Sequence, residues 1–94
     1  AQVFIANDDE SKVLGNMLQN QLTSCLDKGN ARKAKIANGV YLMDHINHPG
    51  ILVECGFISN AVEEVKLRDP LYQKKLCSVI STVTANFLDR KQSA

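Results

Sequence analysis

The sequence predicts an α/β fold in which a mixed sheet of about three strands is flanked by about three helices. Residues 51–53 (ILV) form an unbroken apolar run directly after Pro49 and Gly50, which is typical of a buried strand. The longer segments 10–26 and 70–87 instead repeat apolar residues at steps of three and four, which is typical of helices that pack one face on a sheet. Short β-type runs alternating with amphipathic helices favour the α/β class.

The first strand and helix are predicted from residues 2–29. Residues 2–5 (QVFI) form a β-type run that ends at a cluster of capping residues, where Asn7 and Glu10 have the spacing of a capping box. The apolar stripe of the helix that follows consists of Leu14, Met17, Leu18, Leu22, Cys25 and Leu26. We expect a helix of about five turns, closed by Lys28 and by Gly29 in a left-handed conformation.

Residues 30–38 carry three basic residues without apolar periodicity and are predicted to be a loop. Arg32, Lys33 and Lys35 could contact an anionic substrate, but three charges are ordinary for a solvated loop, and we favour that interpretation. Residues 40–43 (VYLM) are the next strand candidate. The link from there to residue 51 is too short for a helical crossover, so these two strands should be antiparallel or joined irregularly.

Glu54 ends the apolar run of residues 51–53 and is the candidate catalytic residue. Burying an unpaired carboxylate is costly unless it takes up a proton, so Glu54 should lie at the rim of the sheet, be paired, or take part in chemistry. In open α/β sheets that rim is where ligands bind. Gly56 allows a sharp turn after the strand, and Ser59 or Asn60 can cap the next helix.

Two helices are predicted after this turn. Asn60 and Glu63 fit a second capping box, and Asp69 with Pro70 fits the N-cap and first position of a final helix. The apolar stripe of the final helix consists of Tyr72, Leu76, Val79 or Ile80, Val83 and Phe87.

The two histidines, His45 and His48, lie in the link before the strand at residue 51. Their spacing would bring both rings to one metal ion only if the segment were helical, and Pro49 with Gly50 disfavours a helix there. No further ligand follows nearby in the sequence. We therefore interpret them as exposed loop histidines and predict no metal ligand in this chain.

The cysteines are an odd number at scattered positions and do not form a disulfide framework. We predict that Cys25, Cys55 and Cys77 are unpaired and mostly buried. Cys55 could alternatively be a nucleophile with His45 or His48 as its base. Neighbouring residues of a strand point to opposite faces, however, so Glu54 and Cys55 could not easily serve one pocket.

Composition and charge do not indicate a nucleic-acid-binding or a membrane-spanning protein. With 94 residues, of which 45% are hydrophobic, the chain can form one modest core. Its net charge of +1 does not indicate a nucleic acid or an anionic membrane as a partner. No apolar run approaches the roughly 20 residues that span a bilayer. Residues 1–5 lack the features of a signal peptide, so the signal of an exported protein would have to lie upstream.

Residues 53–60 (VECGFISN) resemble a known signature. The pattern V-E-x-G-F-x-S-N after an apolar run opened by proline is similar to the C-terminal signature of the zinc-dependent N-acetylmuramoyl-L-alanine amidases, which are bacterial peptidoglycan hydrolases. The similarity continues upstream through residues 39–43 and downstream through residues 63–75, so it covers most of the chain. Residues 38–42 (NGVYL) together with residues 53–57 are most similar to the branch that trims spore cortex.

This resemblance implies that residues 1–94 are the C-terminal part of a single amidase catalytic domain. It implies a role in catalysis for Glu54 and peptidoglycan as the substrate. It also implies that the enzyme acts outside the cytoplasm, in the cell wall or spore envelope, during sporulation or germination. It also implies a zinc ion in the intact enzyme. The two His and one Glu that bind zinc in this family lie in motifs upstream of the matched region, so this chain alone should hold no zinc.

Two further expectations follow from a partial domain. The chain should depend on the upstream part of the same domain, and it should self-associate through an exposed edge of its sheet. The alternative function is a non-catalytic half-domain or interaction module without metal. The sequence indicates no particular substrate-binding residues.

Overall fold

The fold consists of three strands and four helices within the residues that the computed structural model describes, 1–29 and 31–93. In chain order the elements are β1 (Gln2–Ile5), α1 (Asp9–Cys25), β2 (Lys35–Ile36), α2 (Tyr41–His45), β3 (Ile51–Glu54), α3 (Ala61–Arg68) and α4 (Pro70–Ser93). The predicted α/β class with a mixed sheet is confirmed. No helix in these ranges is long and apolar enough to cross a bilayer.

The sheet has the order β2-β1-β3, with β1 in the centre. β1 runs parallel to β2 and antiparallel to β3, and its Gln2 lies opposite Glu54. The prediction that residues 51–53 form a buried strand was wrong for this chain. Val53 packs against the core, whereas Leu52 points to the other face and is 40% exposed. β3 is therefore an edge strand among the described elements, with one covered face.

The main core lies between the sheet and the helices α1 and α4. Its buried members are Ala1, Val3, Leu14, Leu18, Leu22, Leu76, Val83 and Phe87. They include most of the two apolar stripes that the sequence predicted. α1 approaches β1 so closely at Gly15 that a Cβ atom there would stand 2.6 Å from Cγ2 of Ile5. Glycine at this position lets the helix lie directly on the strand.

The N-terminus of α1 is tied to the start of β3. Asp8 is the N-cap, and its carboxylate accepts hydrogen bonds from the Ser11 nitrogen (2.8 Å) and the Ser11 hydroxyl (2.6 Å). The prediction of Asn7 as N-cap was therefore one residue off. The same Ser11 hydroxyl accepts a hydrogen bond from the Gly50 nitrogen at 2.8 Å. At its other end α1 stops at Cys25 with Leu26 as its C-cap, so Lys28 and Gly29 do not close the helix as predicted. Gly29 does have the predicted left-handed φ, of 90°.

The strand predicted at residues 40–43 is a helix. α2 begins with the hydrogen bond from the Asp44 nitrogen to the Val40 oxygen (3.0 Å). Met43 is buried, while Tyr41 and Leu42 are exposed. A run of four apolar residues is too short for its periodicity to distinguish a strand from a helical turn. Here one buried methionine is enough to anchor the helix.

The loop predicted at residues 30–38 contains a short strand that the sequence analysis missed. β2 pairs with β1, and the Ala37 nitrogen extends this pairing by donating to the Ile5 oxygen at 2.8 Å. Asn30 lies outside the described residues.

Candidate active site

Glu54 is the last residue of β3 and is half-buried. None of the described residues forms a hydrogen bond or ion pair with its carboxylate. The sequence analysis expected Glu54 to lie at the rim of the sheet, to be paired, or to take part in chemistry. Pairing is not observed within the described chain. The backbone of β3 sets only the face of the sheet from which the Glu54 side chain extends, which is the face that also carries Leu52. A carboxylate placed in this way is free to accept a proton from a substrate or from water.

The turn after Glu54 packs tightly on α3. A Cβ atom at Gly56 would stand 3.1 Å from Cδ1 of Leu67, so a larger residue would push the turn away from the helix. The turn is closed by a hydrogen bond from the Asn60 nitrogen to the Phe57 oxygen (3.0 Å). The Asn60 side chain then caps α3, as predicted, and accepts from the Glu63 nitrogen at 3.2 Å.

Glu63 connects this turn to the basic loop. Its Oε2 accepts a hydrogen bond from the Phe57 nitrogen at 3.0 Å, so it does not complete the capping box predicted with Asn60. Its Oε1 lies 3.5 Å from Nη1 of Arg32, and the Arg32 guanidinium stands 4.5 Å from the centre of the Phe57 ring. Arg32 is thus half-buried rather than solvated, whereas Lys33 and Lys35 are exposed.

A second polar cluster joins the end of α1 to α3 and α4. The Tyr72 hydroxyl donates a hydrogen bond to Oδ1 of Asp27 (3.3 Å), and the same oxygen lies 4.0 Å from Nζ of Lys66. Burial raises the pKa of Tyr72 to about 12, and the negative charge of Asp27 beside it acts in the same direction. This cluster holds three elements together next to the turn after Glu54.

The histidines are exposed, as predicted. His45 is the last residue of α2 rather than part of a loop, and its ring stacks on that of Tyr41 with 4.0 Å between centroids. His48 lies in the link between α2 and β3. Among the described residues there is no group of three or more His, Cys, Asp or Glu that could hold a metal ion. The described part of the chain does not by itself fit the zinc ion that the resemblance implies.

Comparison with known proteins identifies the family. The sequence profile of a family described as N-acetylmuramoyl-L-alanine amidase matches residues 1–85. The chain belongs to the N-acetylmuramoyl-L-alanine amidase family. The enzymes of this family are hydrolases, so the predicted resemblance is confirmed at this level. The matched region of this amidase chain contains Glu54, the turn after it, and both polar clusters.

Two individual relatives support the same assignment. Over 71 residues the amidase chain is 39% identical to a germination-specific N-acetylmuramoyl-L-alanine amidase of Bacillus subtilis (strain 168), which covers 76% of this chain and 30% of the relative. It also superposes, with a TM-score of 0.86 and 36% identity, on the CwlD amidase from Clostridioides difficile, solved in complex with the GerS lipoprotein. That match covers 94% of this chain and 45% of the solved chain. The amidase chain thus spans less than half the length of either relative.

The three cysteines of the amidase chain are unpaired, as predicted, but two of them are not buried. Cys25 and Cys77 are exposed because they lie at the margins of the stripes on α1 and α4 rather than in their centres. Cys55 is half-buried against the core. Burial raises the pKa of the Cys55 thiol, and the nearby Cys77 acts in the same direction. A raised thiol pKa disfavours the alternative of Cys55 as a nucleophile.

Gln19 is a structural residue that the sequence analysis missed. This side chain of α1 is 2% exposed. Its Oε1 accepts a hydrogen bond at 2.8 Å from the nitrogen of Val3, which precedes the first residue of β1 that pairs with β2. It therefore fixes the strand whose Gln2 lies opposite Glu54. The available signal was a polar residue on the apolar face of α1, between Leu18 and Leu22.

Proposed function

We propose that this chain is the C-terminal part of the catalytic domain of an N-acetylmuramoyl-L-alanine amidase, with Glu54 as its general base. The supporting observation is the carboxylate itself. Glu54 ends an edge strand, is half-buried, and has no hydrogen-bond or ion-pair partner among the described residues. A structural ion pair, which is the ordinary role of a carboxylate at a strand end, does not account for its position.

The proposed reaction hydrolyses the amide bond between muramic acid and the stem peptide of peptidoglycan. Glu54 accepts a proton from the water whose oxygen attacks the carbonyl carbon. The resulting tetrahedral intermediate then loses the peptide amine, which takes up a proton as the carbon–nitrogen bond breaks. This role requires both the position and the negative charge of Glu54.

We further infer that the intact enzyme depends on zinc whose ligands lie outside this chain. A catalytic zinc site uses three protein ligands, and the described residues contain no such group. The chain spans 45% of the solved relative and 30% of the curated one, which leaves room for the ligands elsewhere in the same domain. In this proposal the described chain contributes Glu54 and the scaffold around it.

The similarity to a germination-specific amidase leads us to propose the spore cortex as the site of action, outside the cytoplasm. The solved CwlD relative was determined with the GerS lipoprotein, so a lipoprotein partner is also proposed for the intact protein. Digestion of cortex peptidoglycan compared with vegetative peptidoglycan tests the first point. Co-purification with lipoproteins encoded in the same genome tests the second.

Glu54→Gln in the intact protein tests the catalytic assignment. Because glutamine keeps the shape but does not accept the proton, turnover should fall by about 10²- to 10⁴-fold. Zinc content should stay near that of the wild type. The measurements are the release of stem peptide from peptidoglycan and metal analysis of the purified protein.

Glu64→Gln is the matched control, because Glu64 is a half-buried carboxylate on α3 that already pairs with Arg68. It should leave turnover unchanged. His45→Ala and His48→Ala should change neither turnover nor zinc content, since both rings are exposed and belong to no ligand group in the described chain. Full activity of Glu54→Gln, or zinc lost with either histidine, would contradict the assignment.

The alternative is a non-catalytic half-domain. Stoichiometric zinc in the native intact protein, lost together with activity on chelation, supports the amidase. A native intact protein that contains no metal and releases no peptide supports the non-catalytic alternative.

A further inference from the structure

The backbone that carries Glu54 is paired on one side only within the described sheet. β3 pairs with β1 and has no second neighbour among the described strands. No described side chain holds the Glu54 carboxylate. Residues 55–60 follow directly and form the turn that leads into α3. Whatever fixes this turn therefore limits how far the carboxylate can move.

Three residues in mutual contact, Arg32, Phe57 and Glu63, help to fix the turn, and we call them the Arg32–Glu63 clamp. Glu63 accepts the Phe57 N–H through one oxygen (3.0 Å) and faces the Arg32 guanidinium through the other (3.5 Å). Arg32 in turn covers the Phe57 ring at 4.5 Å. Each member contacts the other two, so the loop after α1, the turn after β3 and α3 are joined at one point.

The clamp differs from the other Glu–Arg pair of α3. The side chains of Arg32 and Glu63 are 33% and 21% exposed, whereas those of Arg68 and Glu64 are 72% and 37% exposed. Ion pairs in full solvent contribute little. The hydrogen bond from the Phe57 N–H to the Glu63 carboxylate is also exposed, but it is charge-assisted and it binds the backbone of the turn. The described chain shows no hydrogen bond or ion pair from the side chains of Glu64 and Arg68 to the turn, which makes this pair a natural control on the same helix.

Apolar burial alone does not orient α3. The helix contains no fully buried residue, and its Val62 and Val65 are exposed. Its contacts with the turn include Leu67 against Gly56, the Asn60 cap, and the hydrogen bond from Phe57 to Glu63. Removing the Glu63 carboxylate leaves the Phe57 N–H without its acceptor and Arg32 without this anion.

From these contacts we propose that Glu63, held by Arg32, is a positioning residue that keeps Glu54 aligned for proton transfer. This inference rests on the proposed general-base role of Glu54. Glu63 does not touch the reacting atoms. It acts through the Phe57 backbone, three residues after Glu54, and a small displacement of a general base is enough to slow a reaction strongly.

The test compares variants of the intact protein at a temperature where all of them are folded. Glu63→Ala should lower kcat by about 10- to 100-fold with KM within about twofold, because the base is displaced while substrate contacts remain. Glu63→Gln should stay within about threefold of the wild-type kcat, because its amide oxygen can still accept the Phe57 N–H. Glu64→Ala, the control, should leave both constants unchanged.

Amide hydrogen exchange at Phe57 tests the clamp without reference to activity. Exchange should become faster in Glu63→Ala and stay slow in Glu63→Gln. If Glu63→Ala does not fold, Arg32→Lys replaces it. Lysine keeps the charge but loses the planar contact with the ring, so both kcat and the protection of Phe57 should fall partway.

The outcomes separate this inference from the function on which it rests. Full turnover in Glu54→Gln overturns the general-base role. A large loss in Glu54→Gln with full turnover in Glu63→Ala overturns only the positioning role. Equal losses in Glu63→Gln and Glu63→Ala, or unchanged exchange at Phe57 in Glu63→Ala, also contradict the positioning role, because the hydrogen bond to Phe57 would then not be the cause.

Discussion

Folding makes the phenol group of Tyr72 harder to ionise, because it raises the pKa of this group. Burial and the neighbouring Asp27 raise its pKa to about 12, above the ordinary value of 10.0. The folded state therefore holds the proton more tightly than the unfolded state does. The resulting stabilisation is fully present below about pH 10 and is lost as the pH rises toward 12.

Tyr72→Phe tests this pH dependence. The variant keeps the ring and removes the ionisable group, so its stability should decline less steeply than that of the wild type between about pH 10 and pH 12. The measurement is a series of denaturant unfolding curves across this range. Other groups titrate there too, so only the difference between the two proteins counts. Parallel slopes would contradict the assignment to Tyr72.

The thiols should divide into two classes. Cys25 and Cys77 are exposed, whereas Cys55 is half-buried and burial raises its pKa, which lowers the fraction of reactive thiolate. A thiol reagent at neutral pH should therefore modify two groups quickly and one slowly. Cys55→Ser should remove the slow phase. Three equal rates, or a slow phase that survives in Cys55→Ser, would contradict this placement.

At the scale of elements, a side chain of α1 accepts a buried hydrogen bond from β1 that a carbonyl of a neighbouring strand would ordinarily accept. β2 is only two residues long, so the Val3 nitrogen has no strand partner on that side and donates to Gln19 instead. The Gln19 nitrogen also donates to the Ala1 oxygen at 3.3 Å. The Gln19 side chain thus helps to fix the register of β1 against α1, together with the packing of Gly15 on Ile5.

Gln19→Leu should destabilise the protein by about 1–3 kcal/mol, the usual cost of leaving a buried backbone group without its partner. Gln21→Leu is the matched control, because it makes the same change at an exposed position of α1. The measurement is the free energy of unfolding in denaturant. A similar effect of both variants would indicate a change in helix propensity rather than loss of the buried hydrogen bond.

At the scale of the whole molecule, the outer edge of β3 is unpaired within the described chain, and Leu52 beside it is 40% exposed. Unpaired strand edges readily pair with another chain. We predict that this chain in isolation self-associates, in line with the proposal that it is one part of a catalytic domain. Light scattering over a range of concentrations measures this.

Leu52→Lys should weaken the association, because a charged side chain disfavours edge pairing. Thr84→Lys, at a half-buried position of α4 away from the edge, adds the same charge as a control and should not. A monodisperse wild-type monomer at high concentration would contradict the predicted self-association.

The sequence by itself determined the elements whose signals are local. The stripes of α1 and α4, the caps at Asn60 and Asp69, and the position of Glu54 at a strand end all depend on residues within a few positions of one another. Periodicity and capping chemistry therefore predict them. The signature around Glu54 also identified the family.

The tertiary structure alone decided how these elements meet. It placed β1 at the centre of the described sheet, and it folded residues 40–43 as a helix anchored by Met43. It also brought Arg32, Phe57 and Glu63 together. Strand order and side-chain clusters depend on contacts between residues far apart in the chain, and neither composition nor spacing specifies which of several chemically suitable partners will meet.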